Sequence, residues 1–365
     1  MTRQLLLAIL VACPIPAQTL SFTAVTLFAG SSPKSIHLAD FNGDHKVDIA
    51  VVNTAGINQN CVSILLGDGA GNFSSPISSP TGGFGSVAMA AGDFNRDGKT
   101  DLAVVNSITN NVSILLGNGD GTFHPAGQFS VNQEPMAIAA GDFNRDGKLD
   151  LAVVNSATGD LTILLGNGDG TFQKGADVFL GSSPTGVKVA DLNRDGIPDL
   201  AVTNGSLGLE LVQILLGNGD GTFRAAGNAN AHNEPFGLAV ADFDRDGKLD
   251  LAAINLVSND VSILLGNGDG TFRPAVNYGA GNGPIAVAAA DMNRDGKADL
   301  VICDDVSGQV RILIGKGDGT FHSPQGFHSG GACNSLAVAD LNGDGQPDIA
   351  TANGTGIVLM VNTSQ

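Results

Sequence analysis

The pattern Asp-x-Asn/Asp-x-Asp-Gly-x-x-Asp occurs seven times in this 365-residue chain, starting at Asp40, Asp93, Asp142, Asp191, Asp242, Asp291 and Asp340. Only the first copy departs at the sixth position, where His45 replaces Gly. The spacings are 53, 49, 49, 51, 49 and 49 residues. A period near 50 residues means one supersecondary unit that buries its apolar faces only by stacking on its neighbours.

Each unit has the same order. A small apolar run such as Met136-Ala137-Ile138-Ala139-Ala140 leads into the acidic loop, and Leu151-Ala152-Val153-Val154 leaves it. A third run, as in Val112 to Leu116, ends in Gly117-Asn118-Gly119-Asp120-Gly121-Thr122-Phe123. A more variable run, such as Phe172 to Leu180, completes the unit. Short apolar or alternating runs bounded by Gly, Asn, Asp and Pro read as strands, and no segment has a convincing helical period. Four strands per repeat predict an all-β, seven-bladed β-propeller of about 28 strands.

The chain ends support a closed ring. Phe28-Ala29-Gly30-Ser31-Ser32-Pro33 matches Phe179-Leu180-Gly181-Ser182-Ser183-Pro184, so the chain enters the pattern on a fourth strand. It leaves on a third strand, Ile357 to Val361. The first strand therefore completes the last blade, which removes the seam of an open array.

The acidic loops suit a hard divalent cation. Oxygens at positions 1, 3, 5 and 9, with the carbonyl of position 7, converge on one ion if the backbone turns sharply at position 6. The candidate ligands are Asp40, Asn42, Asp44 and Asp48 in blade one, and Asp93, Asn95, Asp97 and Asp101 in blade two. Blade three offers Asp142, Asn144, Asp146 and Asp150; blade four offers Asp191, Asn193, Asp195 and Asp199. Blade five offers Asp242, Asp244, Asp246 and Asp250, and blade six Asp291, Asn293, Asp295 and Asp299. Blade seven offers Asp340, Asn342, Asp344 and Asp348. The intervening carbonyls belong to Lys46, Lys99, Lys148, Ile197, Lys248, Lys297 and Gln346.

Composition fits this assignment. The chain has 33 Asp and 3 Glu, and the loops hold 22 of these 36 carboxylates. Short side chains keep the oxygens close to the turning backbone. Seven such loops in register repel strongly without cations, whereas a single loop would pass as a capped turn. Up to seven Ca²⁺ ions are expected, in preference to Mg²⁺, which keeps several waters, and to Zn²⁺, which wants His or Cys. His45 predicts a weaker first site, and the extra charge of Asp244 a tighter fifth one. The Gly-rich turn before Phe73, Phe123, Phe172, Phe223, Phe272 and Phe321 reads as a tight hairpin with Phe wedged between blades. It is not followed by the helix a phosphate loop requires.

Residues such as Asp142-Phe143-Asn144-Arg145-Asp146-Gly147-Lys148-Leu149-Asp150, with Leu-Ala-Val-Val-Asn and Ile-Leu-Leu-Gly-Asn-Gly-Asp-Gly-Thr-Phe, resemble the FG-GAP/VCBS repeats. These are similar to the repeats of the integrin α-subunit propeller. The resemblance spans residues 20–363. It implies calcium in the loops joining first and second strands, all on one face. It also implies partner binding on the opposite face. That face comprises Asn53–Asn60, Asn106–Asn111, Asn204–Glu210 and Asp304–Gln309, with Ser78–Gly85, Asn132–Pro135, Ala231–Pro235 and His328–Asn334.

Residues 1–17 read as a secretory signal with Arg3, the apolar run Leu5–Ala12, and cleavage after Ala17; residues 18–365 form one propeller domain. A lipoprotein signal with Cys13 as the anchor is the alternative. No segment is long and apolar enough to be a transmembrane helix. Secretion, or a periplasmic or surface location, is the expected address. Removing the signal leaves Cys61, Cys303 and Cys333, of which one undetermined pair can bond in an oxidising compartment.

A net charge of −18 argues against nucleic acid. The six His are scattered, and no nucleophile elbow or zinc motif is present, so no enzyme is expected. The expectation is a monomeric calcium-stabilised scaffold for binding or adhesion, with an unknown protein or glycan partner. A lectin is the alternative, weakened by the absence of Trp and the single Tyr278. A hydrolase is a third and poorer fit.

Overall fold

The computed structural model describes residues 20–55, 59–181, 183–205, 210–354 and 356–364. The expected signal segment, residues 1–17, and Cys13 lie outside them. The described residues form 28 strands in seven four-stranded antiparallel sheets, with no helix. In six sheets the strands lie in chain order, as in Pro135–Gly141, Asp150–Asn155, Asp160–Gly166 and Phe172–Phe179. The seventh is completed from the other end of the chain, as the phase of the repeats predicts. Its outer strand is Phe22–Leu27, paired with Gly356–Asn362 from Phe22↔Asn362 to Leu27↔Ile357. The seven inner strands touch one another consecutively, including first against last, so the ring is closed.

The composition of each strand follows its radius. Second strands such as Asp101–Asn106 are buried at every residue, because sheets pack on both their faces. Outer strands such as Phe172–Phe179 are largely exposed. The core consists of clusters between neighbouring blades. One joins Phe143, Ala152, Val154, Leu161 and Ile163 of blade three to Leu200, Val202 and Leu215 of blade four. Alanine in the second strands lets the sheets approach closely.

The hairpin Phe is a wedge, as expected, and its partner is position 2 of the acidic loop in the previous blade. Phe143 meets Phe223 edge-on at 5.4 Å, and Phe41–Phe123, Phe94–Phe172 and Phe243–Phe321 repeat the contact across other blade boundaries. Edge-to-face pairs of this kind contribute about 0.5–1.5 kcal/mol beyond their burial.

Of the cysteine pairings left open by the sequence, Cys303–Cys333 is formed and Cys61 is free. The bond, with Cα atoms 5.8 Å apart, joins the second strand of blade six to the inner strand of blade seven. It staples the sheet that closes the ring to its neighbour. Replacing both cysteines by Ser should lower the unfolding free energy by about 2–4 kcal/mol, measured by denaturant titration without reductant. A midpoint unchanged within error would assign the bond no structural role.

Candidate metal centres

Each acidic loop joins an inner strand to a second strand. Position 9 opens the second strand and pairs with the last inner-strand residue, as in Gly141↔Asp150 and Ala339↔Asp348. All seven loops therefore lie at the same end of the ring.

Two residues per loop are left-handed. Position 6 is the expected one: Gly147 has φ 78°, and His45 adopts φ 63° in its place. Position 4 was not foreseen. Arg96, Arg145, Arg194, Arg245 and Arg294 have φ between 58° and 64°, although Arg has no preference for this region. Four of these side chains, Arg96, Arg145, Arg194 and Arg245, cross onto the hairpin of the next blade, where a Cβ on Gly168, Gly219, Gly268 or Gly317 would meet them, and Arg294 reaches Gly345 in the acidic loop of blade seven. The interblade contact holds a backbone shape that propensity alone disfavours.

The carboxylates organise the loop through its own N–H groups. In blade three the Asp146 N–H donates to Asp142 Oδ1 and Asn144 Oδ1, both at 3.0 Å. The Gly147 N–H donates to Asp142 Oδ2 at 2.9 Å. The Lys148 N–H and ammonium donate to the two oxygens of Asp146. Each oxygen keeps a second lone pair for a cation.

Position 9 differs from the others. Asp48, Asp101, Asp150, Asp199, Asp250, Asp299 and Asp348 are fully buried. One oxygen of Asp150 accepts the Phe143 N–H at 2.9 Å, and the other accepts the Gly166 N–H at 2.8 Å. The acid thus ties its loop to the end of the third strand. Gly is needed there, because a Cβ on Gly166 would collide with the Leu149 carbonyl oxygen. In blade seven the Asn362 N–H takes this part, 2.7 Å from Asp348 Oδ1. Spacing alone marked position 9 as a ligand and gave no sign of this bracing role.

In blade five, oxygens of Asp242, Asp244 and Asp250 all lie within 4.8 Å of one another. This joins positions 1, 3 and 9 of the expected set. Position 5 is turned away: Asp246 is 2.7 Å from the Lys248 ammonium. Position 3 is Asn in the other six loops, and among the described residues no other three acidic groups come as close. The extra charge of Asp244 meets a counter-charge, since Arg273 Nη1 stands 3.4 Å away.

Burial raises the pKa of the position-9 acids, and neighbouring loop carboxylates raise it further, against the pull of the two N–H donors. Asp250 is pushed up to about 6 and Asp299 to about 7. The hairpin acids behave oppositely. The Thr122 hydroxyl and N–H both donate to Asp120 and lower its pKa, and Asp169, Asp220, Asp269 and Asp318 repeat the arrangement. Those acids are committed to their turn, as the hairpin reading expects.

The opposite end is set by a buried polar residue closing each second strand. Asn106 Nδ2 donates to Asn111 Oδ1 and Ser113 Oγ, and Asn106 Oδ1 accepts the Ser86 hydroxyl. Blade six replaces this pair by Asp304 and Arg311, whose Nε lies 3.5 Å from the carboxylate. In blades two, five and six the turn beyond carries an exposed apolar residue at one shared position, Ile108 (69%), Val257 (52%) and Val306 (66%). Between blades two and three an open groove of about 510 Å³ is bounded by Ile108, Asn110, Gln133, Glu134 and Met136. Residues 56–58 and 206–209 of the expected recognition loops lie outside the described residues. No helix among the described residues is long and apolar enough to cross a membrane.

A model of the FG-GAP-like repeat matches residues 40–104, 93–153, 142–202, 191–253, 246–302 and 291–351. Most windows run from one acidic loop into the second strand of the next blade, so six matches take in the seven loops. No curated protein matches the chain. Among solved structures, the fold is similar to BBS1N in complex with ARL6DN, in a crystal soaked with mercury. That likeness has a TM-score of 0.65 at 14% identity, over 94% of this chain and 97% of that one. It is also similar to an Agrocybe aegerita lectin described as recognising non-reducing terminal N-acetylglucosamine. There the TM-score is 0.58 at 20% identity, over 90% of this chain and 87% of that one. At such identities the likeness is one of fold.

Proposed function

This chain belongs to the FG-GAP-like repeat family, and from that premise we propose that it is a non-catalytic, calcium-stabilised binding scaffold outside the cytoplasm. Calcium sits in the seven loops, held by the position 1, 3, 5 and 9 side chains named above and the position 7 carbonyl. The donor set supports this reading: hard oxygens only, in a loop whose backbone is already folded around positions 1 and 3. Position 5 is the ligand that must rotate to face the ion, away from Lys in five loops and from the position-3 Asn amide in blades four and seven. The ion supplies charge neutralisation and cross-links each loop to its second strand.

The partner docks on the opposite face. The observation that carries this is the repeated exposure of Ile108, Val257 and Val306 at one turn position. Single exposed apolar residues are ordinary, but a periodic set on one face of a rigid ring marks a contact surface. The partner is a protein. A glycan is the second reading, favoured by the groove beside Asn110, Gln133 and Glu134, which offers polar groups between two blades.

The test is a glycan array probed with the calcium-loaded chain and with Ile108→Asp. No glycan bound supports the protein reading. A glycan bound by the parent and lost in Ile108→Asp replaces it with the lectin. A hydrolase screen that returned turnover abolished by one substitution would overturn the scaffold reading as a whole.

A further inference from the structure

The central channel holds two basic side chains that the calcium loops and the opposite face leave unused. The fifth residue of each inner strand lies at the same level of the channel. It is Ala90, Ala139, Ala239, Ala288 and Ala337 in five blades, but His37 in blade one and Lys188 in blade four. Both line one cavity of about 430 Å³, whose other walls are Ala, Val, Ile and Leu and which no Asp or Glu borders. Among the described residues neither makes a hydrogen bond or an ion pair. Lys188 is exposed to the channel and His37 half-buried in its wall, and in a chain of net charge −18 an acidic partner was available in composition. Each inner strand is paired on one side only, which also leaves backbone N–H groups free along its other edge.

We propose that the middle of the central channel binds a small organic carboxylate. Its carboxylate lies between the Lys188 ammonium and the His37 imidazole, and its carbon body lies against the Ala and Val walls. The apolar walls select a ligand with a hydrocarbon body over a bare oxyanion. Lys acts here as a point charge, without the planar fork by which Arg holds phosphate. The surroundings fit an anion site. Desolvation by the channel walls lowers the pKa of Lys188, and desolvation together with the Lys188 charge lowers that of His37. A bound carboxylate reverses both effects.

Isothermal titration calorimetry of the full chain in about 1 mM Ca²⁺ tests this, with butyrate, succinate and sulfate as probes. Butyrate or succinate is expected to bind at one site and more tightly than sulfate. Lys188→Ala should weaken binding about tenfold to a hundredfold, the range for a lost charged hydrogen bond. His37→Ala should weaken it less, and Lys174→Ala on the ring perimeter should leave it unchanged. Five blades already carry Ala at this position, so the Ala variants keep the fold, and their melting temperatures verify it. No binding of either carboxylate, or binding indifferent to Lys188→Ala, overturns the site. Sulfate bound as tightly as succinate overturns the carboxylate assignment.

Discussion

Millimolar calcium is expected to raise the melting temperature of this chain by roughly ten degrees or more over its value in EDTA, and magnesium at matched ionic strength is expected not to. The size follows from linkage. A site with Kd of about 10⁻⁴ M gains roughly 1.4 kcal/mol at about 1 mM ion. Seven independent sites reach about 10 kcal/mol, comparable with the whole stability of a typical domain. Spread over the unfolding entropy of a chain this long, that is a shift of about ten degrees. The apo chain is then expected to be the marginal one. Its loops keep 22 carboxylates at close range, offset in part by Lys46, Lys99, Lys148, Lys248 and Lys297 beside position 5.

The calcium increment also depends on pH. Asp299 and Asp250 have folded-state pKa values raised to about 7 and about 6 from 3.8. A raised acid binds its proton in the folded state after the unfolded chain has lost it. These groups therefore favour the apo fold at the acid end of the window, and that favour fades as pH rises from about 4 towards 7. Calcium needs the ionised form, so its stabilisation grows across the same window. Scans in EDTA and in calcium at pH 5.5 and 7.5 should show a larger calcium shift at pH 7.5. No shift with calcium at either pH, or an equal shift with magnesium, would reduce the loops to charge-screened turns.

The ring was legible because its information is periodic. Seven acidic loops fixed the blade number, and the match of Phe28–Pro33 to Phe179–Pro184 fixed how the ends meet. The loop residues were legible for the same reason. What periodicity could not carry was contact between units. The left-handed Arg145 is held by the hairpin of the next blade, a constraint absent from its own repeat. The Cys303–Cys333 bond depends on two blades meeting at a boundary, which 30 residues of separation do not specify. His37 and Lys188 are unremarkable until their common register places them in one channel. The departures from the repeat, Asp304 with Arg311 and Asp244 with Arg273, proved to be compensated charge changes whose partners lie elsewhere in sequence.

The second large effect separates the two tasks of the acidic loop. Asp150→Ala is expected to destabilise the chain by about 2–6 kcal/mol in EDTA, before any ion is involved. Its carboxylate is fully buried and accepts the N–H groups of Phe143 and Gly166, and each buried N–H left without an acceptor costs about 1–3 kcal/mol. Asp150→Asn keeps one acceptor oxygen, so it should fall between the parent and the Ala variant. Asp146→Ala removes a surface carboxylate whose partners are the backbone and ammonium of Lys148, so in EDTA it should stay within about 0.5 kcal/mol of the parent. In calcium both Ala variants also forfeit the increment of this one site, about 1.4 kcal/mol, while the other six sites remain, so Asp146→Ala then falls measurably below the parent. Denaturant titrations of the three variants with and without calcium read both terms. An Asp150→Ala chain as stable as its parent in EDTA would make position 9 a ligand alone. An Asp146→Ala chain that keeps its full calcium gain would remove position 5 from the ligand set. The seven position-9 acids are braced in the same way, so in every blade the frame hangs on the residue proposed as a calcium ligand, through bonds that need no ion.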